Sequence, residues 1–260
     1  TVFRDQEFSA DMNSRGVKRI EDVQHLRQYQ FVEDAGPTSH PIKPESYMEI
    51  NNVYTLTIYE KGAEVIRMIH TFLGKEGFRR GMDKYFELYD GMAVTTEDFI
   101  YAMSIANGNY DLEQFKLWYK QSGTPELTFQ YDWNEKDQTL TMKVEQSCPP
   151  TPGQDHKKPY HMPLSLGLLD ADGNDIKLEL ADKNGQPQIE EGIVHLKKES
   201  ETFIFKNVKS LPVPSLNRGF KCPVKIHAPL KEEDFAFIMA NDNDEFNRYE
   251  AGQLMGERMV

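Results

Sequence analysis

Long hydrophobic runs are missing from this sequence. Nowhere does an apolar stretch approach the roughly 20 residues that a membrane span requires, which excludes a transmembrane helix. Cysteine is nearly as scarce: Cys148 and Cys222 are the only two, too few for a disulfide scaffold and without zinc-site spacing. They read as free, buried thiols of a reducing compartment, although a pairing between them stays open. Basic charge is short as well. Against 42 Asp and Glu stand 30 Lys and Arg, a net charge of −12, and no basic stripe exists to release counterions from a nucleic acid. The excess is steepest after residue 226, where three basic residues face eight acidic ones, as on a solvated helical surface. No two of the seven histidines stand four apart on a helix. H-E-x-x-H, Cys/His clusters, glycine-rich phosphate loops and G-x-S-x-G are all absent, so the residues themselves specify no metal site. The chain starts at Thr1 and "TVFRDQEF" is no signal peptide, which reads as a cut N-terminus.

What is present divides into three regions. Residues 1–122 read as helical. "SRGVKRIEDVQHLRQYQF" puts Val17, Ile20, Val23, Leu26 and Tyr29 or Gln30 on one face, with Ser14 available as N-cap. "VEDAGPTSHPIKPE" breaks that pattern with three prolines and a glycine, so 32–46 is expected to be a loop. A helix starts near Tyr59 and ends at Gly74; another carries Phe78, Met82, Tyr85, Phe86 and Tyr89 to Gly91. "TTEDFIYAMSIANG" opens on threonine caps and acids that suit a helix N-terminus. A further helix is expected from Asp111, burying Leu112, Phe115 and Trp118 or Tyr119.

At "SGTPE" the hydrophobic period changes. Leu127, Phe129 and Tyr131 alternate, and so do Leu140, Met142 and Val144 after a charged turn. A second hairpin is expected to set Leu164, Leu166 and Leu168 against Ile176, Leu178 and Leu180. With "GIVHLKKESETFIFKNV" and "KCPVKIHA", six or seven strands make a β-sandwich over 123–226. Residues 227–260 return to helix, a terminal pair with little to bury against. "DADGND" (170–175) fails as an EF-hand loop, because its sixth and twelfth positions are Asp175 and Ala181 rather than Gly and Glu. It reads as a hairpin turn, and "NDNDEF" (241–246) as a helix cap.

One stretch calls for a role beyond packing. In "NNVYTLTIYEKGAEVIRMIH" (51–70), Tyr59 stands where the alternation of Tyr54, Leu56 and Ile58 gives way to the helical spacing of Ala63, Ile66 and Ile69. Spacing alone makes Tyr54 and Tyr59 core aromatics, His40 a loop-packing residue and His70 a packed or surface one.

"YTLTIYEKGAEVIRM" resembles the tyrosine segment of the aminopeptidase N family, zinc metallopeptidases of the gluzincin type, in its bacterial alanyl aminopeptidase branch. "TVFRDQEFSADM", "FVEDAGPTSHPIKPESY", "WYKQSGTPEL" and "VPSLNRGFKCPVKI" follow that family's order. Lys221 and Cys222 replace its usual serine-alanine pair, a departure that touches packing. The resemblance implies a multidomain α and β chain. Residues 1–122 would be the C-terminal helical part of a thermolysin-like catalytic domain, 123–226 a β-sandwich domain, and 227–260 the first helices of a truncated α-helical domain. The zinc motif, the glutamate ligand and the exopeptidase loop would precede Thr1, so this fragment is expected to be inactive alone.

The resemblance also implies the chemistry. A zinc-bound water attacks the scissile carbonyl of a peptide's first residue. Tyr59 donates a hydrogen bond to the growing oxyanion, a contact that accelerates only if it strengthens in the transition state. Tyr54 lines the substrate cleft and Asn51 orients peptide groups there, or either is structural. Asp5 supports the metal ligands from behind, or forms a surface ion pair with Arg4 or Arg15. Glu60 and Lys61 fix the helix entry. The implied whole is a monomeric, cytoplasmic, one-zinc aminopeptidase acting on peptides, with no nucleic-acid or membrane partner. A catalytically dead homologue serving as a scaffold and a sibling zinc hydrolase are the alternatives.

Overall fold

The computed structural model describes residues 1–181, 189–190 and 192–258; Met259 and Val260, the end of the third expected region, lie outside them. The helical part opens with α1 (Val2–Met12) and α2 (Arg15–His25). Ser14 caps α2 by accepting from the Val17 N–H. α2 runs through a π-turn (Leu26–Gln30) into α3 (Phe31–Ala35). That wider turn brings Gln30 rather than Tyr29 to the buried face, and Val17 is 56% exposed. The loop expected from residue 32 therefore starts only at Gly36, because Glu33 and Asp34 have partners elsewhere that hold their turn in helix.

After a 3-10 turn (Ile50–Val53) and a second π-turn (Thr57–Lys61) comes α4 (Gly62–Tyr89), broken at Gly74, where φ of 65° and ψ of 173° leave the helical region. α5 (Thr96–Ile105) starts from a capping box between Thr95 and Asp98. The helix expected from Asp111 is instead a 3-10 turn (Gln114–Lys116) and a single α-turn, α6 (Leu117–Lys120). Phe115, Trp118 and Tyr119 are all buried and Gln114 donates to the Pro159 and Lys197 carbonyls. Contacts on several sides override a one-faced helix.

The strands β1 (Glu126–Asn134), β2 (Thr139–Ser147), β3 (Met162–Leu169), β4 (Ile189–Glu190), β5 (Ile193–Leu196), β6 (Ser200–Phe205), β7 (Val213–Leu216) and β8 (Lys225–His227) form two four-stranded sheets. Their orders are β6-β2-β1-β8 and β4-β5-β3-β7. The expected first hairpin pairs Phe129 with Val144. The second hairpin does not form. β3 has β5 on one side and β7 on the other, so 176–180 leaves after one Ile176 N–H···O=C Leu168 bond and runs beside β6. Pro214 hid β7 from the sequence; as an edge strand it tolerates a residue without an N–H.

One core joins helices to sandwich, from Val65, Met68 and Ile69 of α4 to Leu127, Met142 and Leu164 of the sheets. The terminal helices α7 (Glu232–Asn241) and α8 (Glu245–Arg258) do find partners, contrary to expectation. Phe246 joins Val23, Leu26, Phe31 and Phe220, while Phe235 and Ile238 pack on Leu169. Arg27, in the π-turn after α2, clamps Glu250 of α8 through two bonds of 2.7 Å. Both cysteines are free. Among the described residues no helix is long and apolar enough to cross a membrane.

At the junction of lobes, Phe72 of α4 packs its ring 4.4 Å from that of His161 and 5.0 Å from that of His195. His161 Nε2 and His195 Nδ1 share a hydrogen bond of 3.0 Å. Burial, then the charge of Lys197 and the neighbouring His195, pushes His161 down to about 3, against the opposing pull of Asp111. Burial and Lys197 push His195 down too. The unfolded chain therefore binds more protons below pH 6.5, and stability falls as pH drops. His161 alone contributes a loss of about 2 kcal/mol by pH 5, at about 1.4 kcal/mol per pH unit. Urea unfolding between pH 7.5 and 5 is expected to show this slope, and His161→Leu to flatten it; equal slopes would contradict the assignment.

Candidate functional site

Tyr59 sits midway along the Thr57–Lys61 π-turn at the entry to α4 and is 43% exposed. Tyr54 is 64% exposed, its ring 6.2 Å from that of Tyr59. Both phenols thus face outward instead of filling the core that spacing alone suggests. Asn51 is exposed in the 3-10 turn just before Tyr54, held there by Glu49 and Asn52, which bond each other's backbone. The structure brings these three together on one short stretch, with an amide and two hydroxyls open to a ligand.

His40 ties the preceding loop to this stretch. Its ring nitrogens lie 2.8 Å from the Thr38 carbonyl and 2.8 Å from Thr55 Oγ1. Thr55 Oγ1 accepts in turn from the Ile58 N–H, which tethers the approach to the π-turn. His70 packs against the rings of Phe3 and Phe78, which also touch each other.

Asp5 is on α1. It is exposed in that helix's first turn, and no hydrogen bond or ion pair joins its carboxylate to the tyrosine pair. Arg15, one of its two expected partners, pairs with Glu7 and Asp11 instead, and no pair with Arg4 forms. α1 is fastened to α4 further along, where Arg67 holds Glu7 at 2.5 Å and Gln6 at 2.8 Å. Burial pushes Glu7 up, but Arg67 and Arg15 outweigh it and hold its carboxyl at about 2.

The inner side of the turn is a polar network that spacing does not reveal. Lys61 and Asp34 form an ion pair of 2.7 Å with side chains 2% and 0% exposed. Burial works to raise the Asp34 carboxyl, yet the Lys61 charge and hydrogen bonds from Lys61, Gly123 and Gln30 hold it below the ordinary carboxylate range. Glu60 is half-buried and raised by burial, 4.0 Å from His25 Nε2. Asp34 and Lys61 are 27 residues apart, beyond any local periodicity, and the prolines after residue 36 disguised their surroundings as loop. Among the described residues no group of three or more His, Cys, Asp or Glu could hold a metal ion.

Comparison with known proteins matches residues 1–119 to the "Peptidase family M1 domain" and residues 123–229 to the "Domain of unknown function (DUF3458) Ig-like fold". Aminopeptidase N of Escherichia coli (strain K12) is 46% identical over 255 residues, covering 98% of this chain and 29% of that protein. Aminopeptidase N of Caulobacter vibrioides is 43% identical over 260 residues, covering the whole chain and 29% of the relative. A crystal structure of Legionella pneumophila aminopeptidase A in complex with aspartic acid superposes with a TM-score of 0.77 at 29% identity, over 98% of this chain and 26% of that one. The chain spans under a third of the length of these relatives.

Proposed function

Because residues 1–119 belong to peptidase family M1, we propose that the protein carrying this chain is a zinc-dependent aminopeptidase in which Tyr59 stabilises the oxyanion of peptide hydrolysis. The observation that carries the role is a phenol 43% exposed at a helix entry whose inner face is held by a buried ion pair. When water attacks a peptide carbonyl, negative charge grows on its oxygen. A phenolic O–H aimed there is a neutral donor at physiological pH, with only two torsions to freeze. Tyr54 would support one wall of the cleft, and Asn51 could donate to and accept from the substrate's peptide groups. Asp5, exposed on α1, would act through the metal's surroundings. The proposal assigns the zinc ligands to protein outside these 260 residues, since the chain covers only 29% of its relatives. It extends to a cytoplasmic monomer that takes peptides, with 1–122, 123–226 and 227–260 as parts of three domains.

The full-length protein is expected to release p-nitroaniline from alanyl p-nitroanilide but not from the N-acetylated compound. A chelator abolishes the activity and zinc restores it. Residues 1–260 alone give no hydrolysis. Zinc-dependent turnover by 1–260, or none by the full-length protein, would overturn the reading.

A further inference from the structure

Two residues beyond Tyr59, the chain turns its opposite face inward. Lys61 is 2% exposed, and its Nζ donates to Asp34 Oδ2 at 2.7 Å and to the Gly123 carbonyl at 2.9 Å. Asp34 Oδ1 accepts from the Gly123 N–H at 2.6 Å and from Ser39 Oγ at 3.1 Å. Gly123, with φ of 90°, is thereby gripped through both its backbone groups at the start of the sandwich. The other end of the π-turn is held as firmly. Glu33 Oε1 accepts the Thr57 N–H at 2.8 Å and the Thr57 hydroxyl at 2.6 Å. Gln30 Nε2 reaches both Thr57 Oγ1 and Asp34 Oδ2 at 3.2 Å.

A π-turn holds one residue more than an α-turn, an irregularity that occurs mostly as single turns and often at functional sites. Expelling the extra residue would restore ordinary helix and rotate the following side chains by about 100°. The first and last residues, Thr57 and Lys61, are both fastened to α3, so the middle one must project outward. A buried ion pair contributes little net stability for its desolvation cost, whereas fixing one register is a use such pairs can serve. Reacting groups held by side chains whose own rotamers are locked lose little to misplacement.

We propose that Glu33 and the Asp34–Lys61 pair are positioning residues that hold the π-turn in register and so aim the Tyr59 hydroxyl; this rests on the reading of Tyr59 as oxyanion donor. None of the three needs to touch substrate. Their effect passes through the phenol.

The test is a double-mutant cycle on the full-length protein, with kcat and KM measured for Tyr59→Phe, for the charge-free pair Asp34→Asn/Lys61→Met, and for their combination. The pair variant is expected to lower kcat about 10-fold or more with KM within about threefold, and to cost under twofold further in the Tyr59→Phe background. Equal losses in both backgrounds would make the pair merely structural and overturn the proposal, as would an unchanged kcat. If Tyr59→Phe itself leaves kcat unchanged, the reading of Tyr59 fails instead. Should the pair variant not fold, Glu33→Gln, which keeps an acceptor for Thr57, is expected to show a smaller kcat loss that vanishes in the Tyr59→Phe background; a loss that persists there would overturn the proposal.

Discussion

Tyr59→Phe in the full-length protein is expected to lower kcat by about 10²–10³-fold, the usual cost of losing one oxyanion donor, roughly 2.7–4 kcal/mol. KM should change little, because a ground-state carbonyl oxygen draws less from the phenol than a developing oxyanion does. The substitution removes one oxygen from a ring that is 43% exposed and whose hydroxyl makes no hydrogen bond among the described residues, so stability should move by no more than about 0.5 kcal/mol. The ring would keep its neighbour Tyr54 at 6.2 Å. A fall in kcat accompanied by an equal fall in thermal stability would count against a chemical role.

The largest stability effect is expected at Asp34→Ala. It strands the Lys61 ammonium at 2% exposure and removes the acceptor of the Gly123 N–H. Removing one partner of a buried pair typically destabilises by about 3–5 kcal/mol, because the remaining charge has no solvent to return to. Asp34→Asn/Lys61→Met, which removes both charges, should cost much less. Urea unfolding of residues 1–260 measures both, and similar losses for the two variants would show that the charges themselves matter little. Since Asp34 titrates below its unfolded value of 3.8, its contribution is present above that pH and is lost as pH falls through the lowered value.

Local chemistry carried much of this architecture into view. Ser14 and Thr95 cap the helices their positions suggest, and the alternation around Phe129 and Val144 became a paired hairpin. Two-residue periodicity cannot choose a partner, however. Ile176, Leu178 and Leu180 alternate well, yet β3 was already flanked by β5 and β7, so the segment runs to β6. At 111–120 the demands of several neighbours broke a helix that one-faced amphipathicity favoured. The terminal helices seemed short of partners only because these come from far along the chain: α2 and the π-turn after it, some 220 residues earlier, hold α8, and Leu169 of β3 takes Phe235 and Ile238 of α7. The same limit applies at the candidate site. Tyr54, Tyr59 and Asn51 lie within nine residues and were visible through resemblance to a family. Glu33 and Asp34 were not, since their partners Thr57 and Lys61 lie 24 and 27 residues away behind a proline-rich loop.

The most direct measurement compares two inhibition constants before and after Tyr59→Phe in the full-length protein. One is for a phosphinic dipeptide that mimics the tetrahedral intermediate, the other for a product amino acid that lacks the oxyanion. The tetrahedral mimic is expected to weaken by about 10²-fold while the amino acid changes by less than about twofold. Equal weakening of both, or of neither, would contradict a phenol that stabilises the transition state.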